Sequence, residues 1–373
     1  MIQKDVFYHT RRKKTYFDWI SLALITALSL IGLLFVWSAT YKPDASFSLF
    51  FKKQLIGIVT GLAIYVVCTF TDYRPLMRWG YFFYFIVIGL LLFTIIKGSI
   101  GMGAQRWISI GFFKVQPSEL AKLILPSFVA YYLYTENSTF MYKNKQFFMI
   151  LGIVSITTFL ILKQPDLGTA LVILFSALLL VWLAGMTKRW FVYGILVVVL
   201  CAPLLWCTLK PYQRNRIAVF FGQGQAQKER YQIEQSAIAI GSGGLFGKGF
   251  LRGTQNKLQF LPESRTDFIF SVICEERGLL GAILVLLLYG LLFLRLLLRI
   301  AQLPSPITQL FAFGLIIHII LSTIINIGMV LGLLPIVGIP LPLISYGISN
   351  LWITFASLGI IQSILMHRHY PLQ

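Results

Sequence analysis

The sequence predicts an all-α polytopic membrane protein with about ten transmembrane helices and one long hydrophilic loop. Three observations carry that prediction. Of the 373 residues, 57% are hydrophobic and only 12% are charged, and the mean hydropathy is +0.79. Apolar runs recur along the chain, and roughly 20 apolar residues cross a bilayer as a helix. The hydrophilic residues gather in one stretch, 209–267. Backbone polar groups cannot stay unpaired in lipid, so the apolar runs are expected to be helices, and the alternation of a β-barrel is absent. Residues 1–373 are expected to form a single membrane domain.

Taken in order, the expected spans are 18–39, 54–71, 78–96, 117–134, 147–162, 169–186, 191–208, 268–294, 309–333 and 349–366. Arg11, Arg12, Lys13 and Lys14 precede the first, which argues for a cytoplasmic N-terminus. Counting onward, Arg74/Arg78, Lys143/Lys145, Lys188/Arg189, Arg295/Arg299 and His367/Arg368 fall on that same side. Both termini are therefore expected in the cytoplasm and 209–267 outside. The first span is too long for a cleaved signal and more spans follow it.

The net charge of +19 is partly this topological bias. The remainder lies in the loop, where Lys210, Arg214, Arg216, Lys228, Arg230, Lys248, Arg252, Lys257 and Arg265 face Glu229, Glu234, Glu263 and Asp267. A basic surface on the disfavoured side suggests an anionic ligand or anionic headgroups, against the plainer reading of a solvated loop touching lipid. Cys68, Cys201, Cys207 and Cys274 lie in apolar runs without zinc spacing, and His9, His318, His367 and His369 are scattered. No protein-made metal site, histidine nucleophile or nucleic-acid partner is indicated.

The acids narrow by elimination. Asp5, Asp18, Asp72 and Glu136 read as interface residues, and Asp44, Glu229, Glu234 and Glu263 as loop residues. Glu119, Asp166, Asp267, Glu275 and Glu276 remain at or inside helices, where an ionisable group is costly and is a functional candidate. In VQPSELAK, Glu119 can cap its helix and pair with Lys122 at i+3, or contact substrate. Asp166 of QPDLGT is expected to cap a helix start. Glu275, Glu276 and Arg277 suggest an internal ion pair. Asp267 stands at a helix start, where either capping or chemistry accounts for an ionised carboxylate.

Two further strings stand out. IGSGGLFGKG (240–249) looks like a phosphate cradle but lacks its Gly-Lys-Ser/Thr ending, so a tight turn is the competing reading. LPIVGIPLPLISYGIS (334–349) cannot continue a helix and is expected to be a broken segment lining a cavity, with Ser345 and Tyr346 as polar tips.

The strings GAQRWISIG, QPSELAK, QPDLGTAL, YQRNR, QSAIAIGSGGLFGKGFLRGTQNKLQFLPESRTDFIF and NIGMVLGLLPIVGIPLPLISYG resemble the SEDS family of bacterial wall polymerases over about residues 18–366. KGFLRGTQNKLQFLPE is similar to its RodA branch. The resemblance implies a ten-helix peptidoglycan glycosyltransferase of the bacterial inner membrane, using lipid II for elongation and rod shape. It implies a catalytic role for Asp267 and substrate contacts for Arg106, Glu119, Lys122, Lys53, Arg214 and Ser345. It also implies a class B penicillin-binding protein as transpeptidase partner, beside other elongation-machinery membrane proteins. The family commonly has His where Arg265 stands and Gly where Ile348 stands. The first change is expected to alter the charge felt by Asp267, the second to stiffen the broken segment.

Residue chemistry agrees. The acceptor hydroxyl must lose a proton to a carboxylate, and Arg and Lys side chains or a divalent ion (Mg or Mn) must offset the departing diphosphate. No organic cofactor is implied. A lipid II flippase and an inactive scaffold are the competing classes; a transporter should concentrate ionisable groups near the midplane.

Overall fold

The computed structural model describes residues 17–41, 47–101, 104–110, 113–135, 144–208, 211–220, 227–258 and 260–367. The expectations placed on Asp5, His9, Arg11 to Lys14, Asp44, Glu136, Lys143, Lys210, Arg368 and His369 lie outside them. The helices are α1 (Trp19–Thr40), α2 (Leu49–Phe70), α3 (Arg74–Arg78), α4 (Gly80–Lys97), α5 (Pro117–Thr135), α6 (Asn144–Lys163), α7 (Leu167–Leu183), α8 (Lys188–Thr208), α9 (Pro211–Phe220), α10 (Gln227–Gly243), α11 (Thr254–Lys257), α12 (Ile269–Ala301), α13 (Pro306–Val330) and α14 (Ile348–Met366). A helix coincides with each of the ten expected spans. Among the described residues, seven are long and apolar enough to cross a membrane. α7 is apolar but has 17 residues, and α5 carries Glu119 and Lys122.

One element departs from all-α. β1 (Ser99–Gly101), β2 (Ala104–Ile110) and β3 (Phe113–Val115) form a small antiparallel sheet in the order β1-β2-β3. Aromatic and β-branched Trp107, Ile108 and Ile110, bounded by Gly103 and Gly111, are its strand signal in the sequence.

Helix starts follow local chemistry. The Asp18 carboxylate accepts from the Ser21 N–H at 3.3 Å and Ser48 from the Phe51 N–H at 3.1 Å, while Pro306 opens α13. α1 and α12 are clasped at both ends. Arg295 Nη2 lies 2.7 Å from Asp18 Oδ1, and Ser38 Oγ donates to Glu276. The clasps stand about 30 Å apart on either helix. α2 meets α14 through glycines: a Cβ on Gly61 would lie 2.3 Å from the Phe355 ring, and one on Gly359 2.6 Å from the Tyr65 carbonyl. One apolar core joins α1, α2, α12, α13, α14 and the 331–347 segment, and a second joins α4 to α7.

α12 is broken at Gly278 (φ 63°, ψ −160°), and the glycine-rich stretch fills the break. The N–H groups of Lys248 and Gly249 donate to the carbonyls of Glu275 and Glu276, both at 3.0 Å. The N–H groups of Leu279 and Leu280 donate to Gly244 and Leu245 at 2.9 and 3.2 Å. Backbone groups freed inside a membrane helix are thus satisfied by another segment. IGSGGLFGKG is a plug rather than a phosphate cradle. The ion pair expected within Glu275–Arg277 also forms elsewhere: Lys248 Nζ lies 2.7 Å from Glu275 Oε1, which accepts in addition from the Thr254 and Gln255 N–H groups at 2.7 and 3.1 Å.

Residues 331–347 are non-helical, as the prolines and glycines demand. Gly32 lets them pass beneath α1, since a Cβ there would come within 2.6 Å of Ile344 Cα. Ile348 lies just outside this segment. It is the first residue of α14, facing Gly57 of α2, and Gly347 before it has an extended backbone.

Candidate active site

Asp267 follows a tight turn in which the Glu263 carbonyl accepts from the N–H groups of Thr266 and Phe268 at 3.1 and 3.3 Å. α12 then begins without any side-chain cap, and the Asp267 carboxylate has no hydrogen-bond partner among the described residues. Capping therefore does not account for this aspartate. Its backbone, by contrast, is tightly held. Asn326 Nδ2 donates to the Asp267 carbonyl at 2.9 Å and to the Ile339 carbonyl at 2.7 Å. Ser345 Oγ donates to the Thr266 carbonyl at 2.5 Å, and the Tyr346 N–H to the Arg265 carbonyl at 3.0 Å. The broken segment is the cradle of the Arg265–Asp267 backbone. At Gly338 (φ 75°), a Cβ would stand 3.4 Å from Asp267 Oδ2.

Asp267 keeps part of its surface open but is densely surrounded by protein. Burial first, and the Glu263 carboxylate second, push its pKa from the ordinary carboxylate range up to about 6. Arg106 and Arg216 pull it down, and Asp166 pushes it up. The charge at Asp267 is thus set by these groups more than by Arg265. The Arg265 guanidinium lies over the Phe50 ring at 4.0 Å, and Phe50 meets the Tyr346 ring edge-on at 5.4 Å.

Arg106 projects from β2, its Nη1 3.6 Å from Asp166 Oδ1. Asp166 caps α7 as expected, accepting from the Thr169 N–H at 3.2 Å, and also accepts from Gln116 Nε2 at 2.6 Å. It thereby ties the sheet to two helix starts and holds Arg106 toward Asp267. Glu119 and Lys122 form the expected pair at 2.7 Å, both buried, and Asn350 Nδ2 donates to Glu119 at 3.1 Å. No described contact joins that pair to Asp267. Lys53 is half-buried on α2 beside Gln54, whose Nε2 donates to the Ser345 carbonyl at 3.2 Å. Ser345 itself is 3% exposed, and its hydroxyl serves backbone groups, accepting from the Leu341 N–H at 2.8 Å. It is a brace rather than a polar tip.

The profile of the family described as Cell cycle protein, which groups FtsW, RodA and SpoVE, matches residues 18–370. The chain belongs to that family. It is 39% identical to the peptidoglycan glycosyltransferase MrdB of Escherichia coli K12 over 365 residues, covering 95% of this chain and 96% of that one. Among solved structures it is similar to a chain of a peptidoglycan synthase complex described for structural coordination of polymerization and crosslinking, with TM-score 0.81 and 28% identity over 95% of this chain and 99% of that one. The crystal structure of the Thermus thermophilus rod shape determining protein RodA matches with TM-score 0.71 and 28% identity, over 95% and 98% of the two chains.

In this FtsW/RodA/SpoVE member, two residues of the constellation escaped the sequence reading. Arg216, two residues beyond the expected substrate contact Arg214, acts on the charge of Asp267. The two stand at i and i+2 on α9, so they cannot share a face, and only the helix phase selects between them. Asn326 was hidden inside an apolar span, where a lone amide signals little beyond helix contact. Among the described residues no three His, Cys, Asp or Glu side chains gather to hold a metal ion. The positive charges that act on Asp267 are Arg106 and Arg216.

Proposed function

We propose that this family member polymerises lipid II into glycan strands, with Asp267 as general base. The observation that carries the reading is an uncapped carboxylate, held by its backbone alone, under the field of Arg106 and Arg216. In the reaction the acceptor's sugar hydroxyl attacks the donor's anomeric carbon. The O–H bond breaks and its proton passes to Asp267, while the bond from the anomeric carbon to the diphosphate oxygen breaks with its electron pair. Arg106 and Arg216 offset the charge that develops on undecaprenyl diphosphate. Attack by the acceptor hydroxyl itself on the anomeric carbon, with Asp267 acting only as base, gives inversion. A divalent cation (Mg or Mn) on the diphosphate would add to that offset.

Lys53, Arg214 and the Glu119–Lys122 pair are assigned to substrate contact, and Ser345 to positioning. The family likeness supports a place in the bacterial inner membrane, with both termini cytoplasmic, α9 to α11 outside, and a role in elongation and rod shape. The likeness to a chain of a peptidoglycan synthase complex supports a class B penicillin-binding protein as partner, its single span packed on α12 and α13. Purified protein supplied with lipid II should yield glycan polymer, stimulated by that partner. Translocation of lipid II without polymer would put a transporter in its place.

A further inference from the structure

We propose that the groove between α1 and α12 is a binding site for one anionic phospholipid, with its phosphate on Arg277 and an acyl chain along Ile31, Leu34, Leu280 and Leu284. The groove has a volume of about 550 Å³ and is lined in part by Phe246 and Phe250, in and just after the plug segment. Its lining is apolar apart from Arg277. That arginine is exposed, its guanidinium 5.7 Å from the Phe250 ring centre, and makes no ion pair among the described residues. An arginine on the membrane-facing side of a spanning helix is costly unless an anion meets it.

Depth supports a phosphate as that anion. Arg277 stands at the Gly278 break, and Arg295 and Arg299 close the apolar stretch that follows it, about 27 and 33 Å farther along an ideal helix. The hydrocarbon core is roughly 30 Å thick, so Arg277 falls at the headgroup level of the leaflet nearer Asp267. The adjacent carboxylates do not compete for it. Glu275 is held by Lys248 at 2.7 Å, and Glu276 accepts from Ser38. Because Lys248 is engaged in that pair, one guanidinium remains for the groove. A single guanidinium matches one phosphodiester, whereas a polyprenyl diphosphate calls for more cations. A net negative headgroup is favoured over a zwitterionic one, whose ammonium Arg277 would repel. The proposal is independent of the glycosyl-transfer reading, because Arg277 lies outside the Asp267 constellation.

The test uses the full-length protein, delipidated in detergent and titrated with phosphatidylglycerol or phosphatidylcholine under native mass spectrometry. The parent should retain one phosphatidylglycerol at activation that strips phosphatidylcholine. Arg277→Gln should weaken phosphatidylglycerol roughly tenfold, the loss of one charge-assisted contact, and Arg277→Lys should recover part of it. Leu34→Trp fills the groove while keeping Arg277, and should lose both lipids. Equal retention of the two lipids by the parent would overturn the proposal, as would parent-like phosphatidylglycerol binding by Arg277→Gln or displacement by equimolar undecaprenyl phosphate. Should Arg277→Gln fail to fold, salt decides with the parent protein. Phosphatidylglycerol retention that did not fall with ionic strength would equally refute a phosphate on Arg277.

Discussion

Asn326 and Asp267 are joined through the backbone: one side-chain amide donates to the carbonyl of Asp267 at 2.9 Å and to that of Ile339 at 2.7 Å. α13 therefore fixes the start of α12 and the broken segment by the same group. Ser345 repeats the device one residue earlier, on the Thr266 carbonyl. The carboxylate is left without a hydrogen bond among the described residues while its own main chain is clamped from two directions. Such rigidity matters because a base displaced by about 1 Å costs on the order of 100-fold in rate.

Asn326→Leu should expose that dependence. It removes both donors and leaves the buried Ile339 carbonyl unpaired, at about 1–3 kcal/mol, and the part-buried Asp267 carbonyl without its clamp. The expected result is a fall in polymerisation kcat of roughly 10–100-fold with KM little changed, because Asn326 acts through Asp267 and touches no substrate. Ser345→Ala should follow in the same direction. A rise in KM alone would assign these residues to binding.

The pH profile follows from the raised Asp267 pKa of about 6. A base must be ionised, so kcat/KM should rise with pH through a midpoint near that value and level off above it. Glu263→Gln removes a negative neighbour that pushes this pKa up, so the midpoint should move to lower pH. Arg106→Gln removes a positive one and should move it higher. A rate constant from pH 5 to 7 would mean that an ordinary carboxylate, or none, titrates in catalysis.

Gly247 tests the plug. It has φ 80°, and a Cβ would sit 2.2 Å from the Glu276 carbonyl oxygen. Gly247→Ala should pull the 244–249 segment out of the α12 break, costing about 1–3 kcal/mol in backbone strain before any lost hydrogen bond. The expected readout is a lower melting temperature in detergent and reduced yield. Gly89, where a Cβ would meet nothing within 4 Å, is the matched control.

Much of this was legible in the sequence, for identifiable reasons. Spans were readable because lipid exposure imposes apolarity residue by residue, and Asp166 was readable as a cap because capping is local. Asp267 stood out as an acid at a membrane threshold. What stayed hidden depends on contacts between distant segments. Nothing in IGSGGLFGKG announces that its amides will serve the carbonyls of Glu275 and Glu276. Nor does anything near Asp267 announce that the Glu263 carbonyl will take the turn amides, leaving its carboxylate uncapped. Arg214 and Arg216 are equivalent in composition and differ only in the face of α9 that they occupy. Ser345 looked like a free hydroxyl because polarity shows in sequence and the direction of a side chain does not.

The decisive variant is Asp267→Asn. Asparagine matches the size of aspartate and caps helices about as well, but at neutral pH it cannot accept the proton of an attacking hydroxyl. The structure sharpens the comparison, because the side chain of Asp267 makes no cap and its contacts to Asn326 run through the main-chain carbonyl, which the variant retains. Folding, membrane insertion and partner binding should therefore survive. Glycan polymerisation should fall at least on the order of 100-fold, the lower range for loss of general-base assistance. The acid limb of the pH profile should vanish from whatever activity remains, since the group that titrates near pH 6 is gone. Purified, monodisperse Asp267→Asn protein that polymerised lipid II at the parent rate would remove Asp267 from the chemistry, and the proposed mechanism with it.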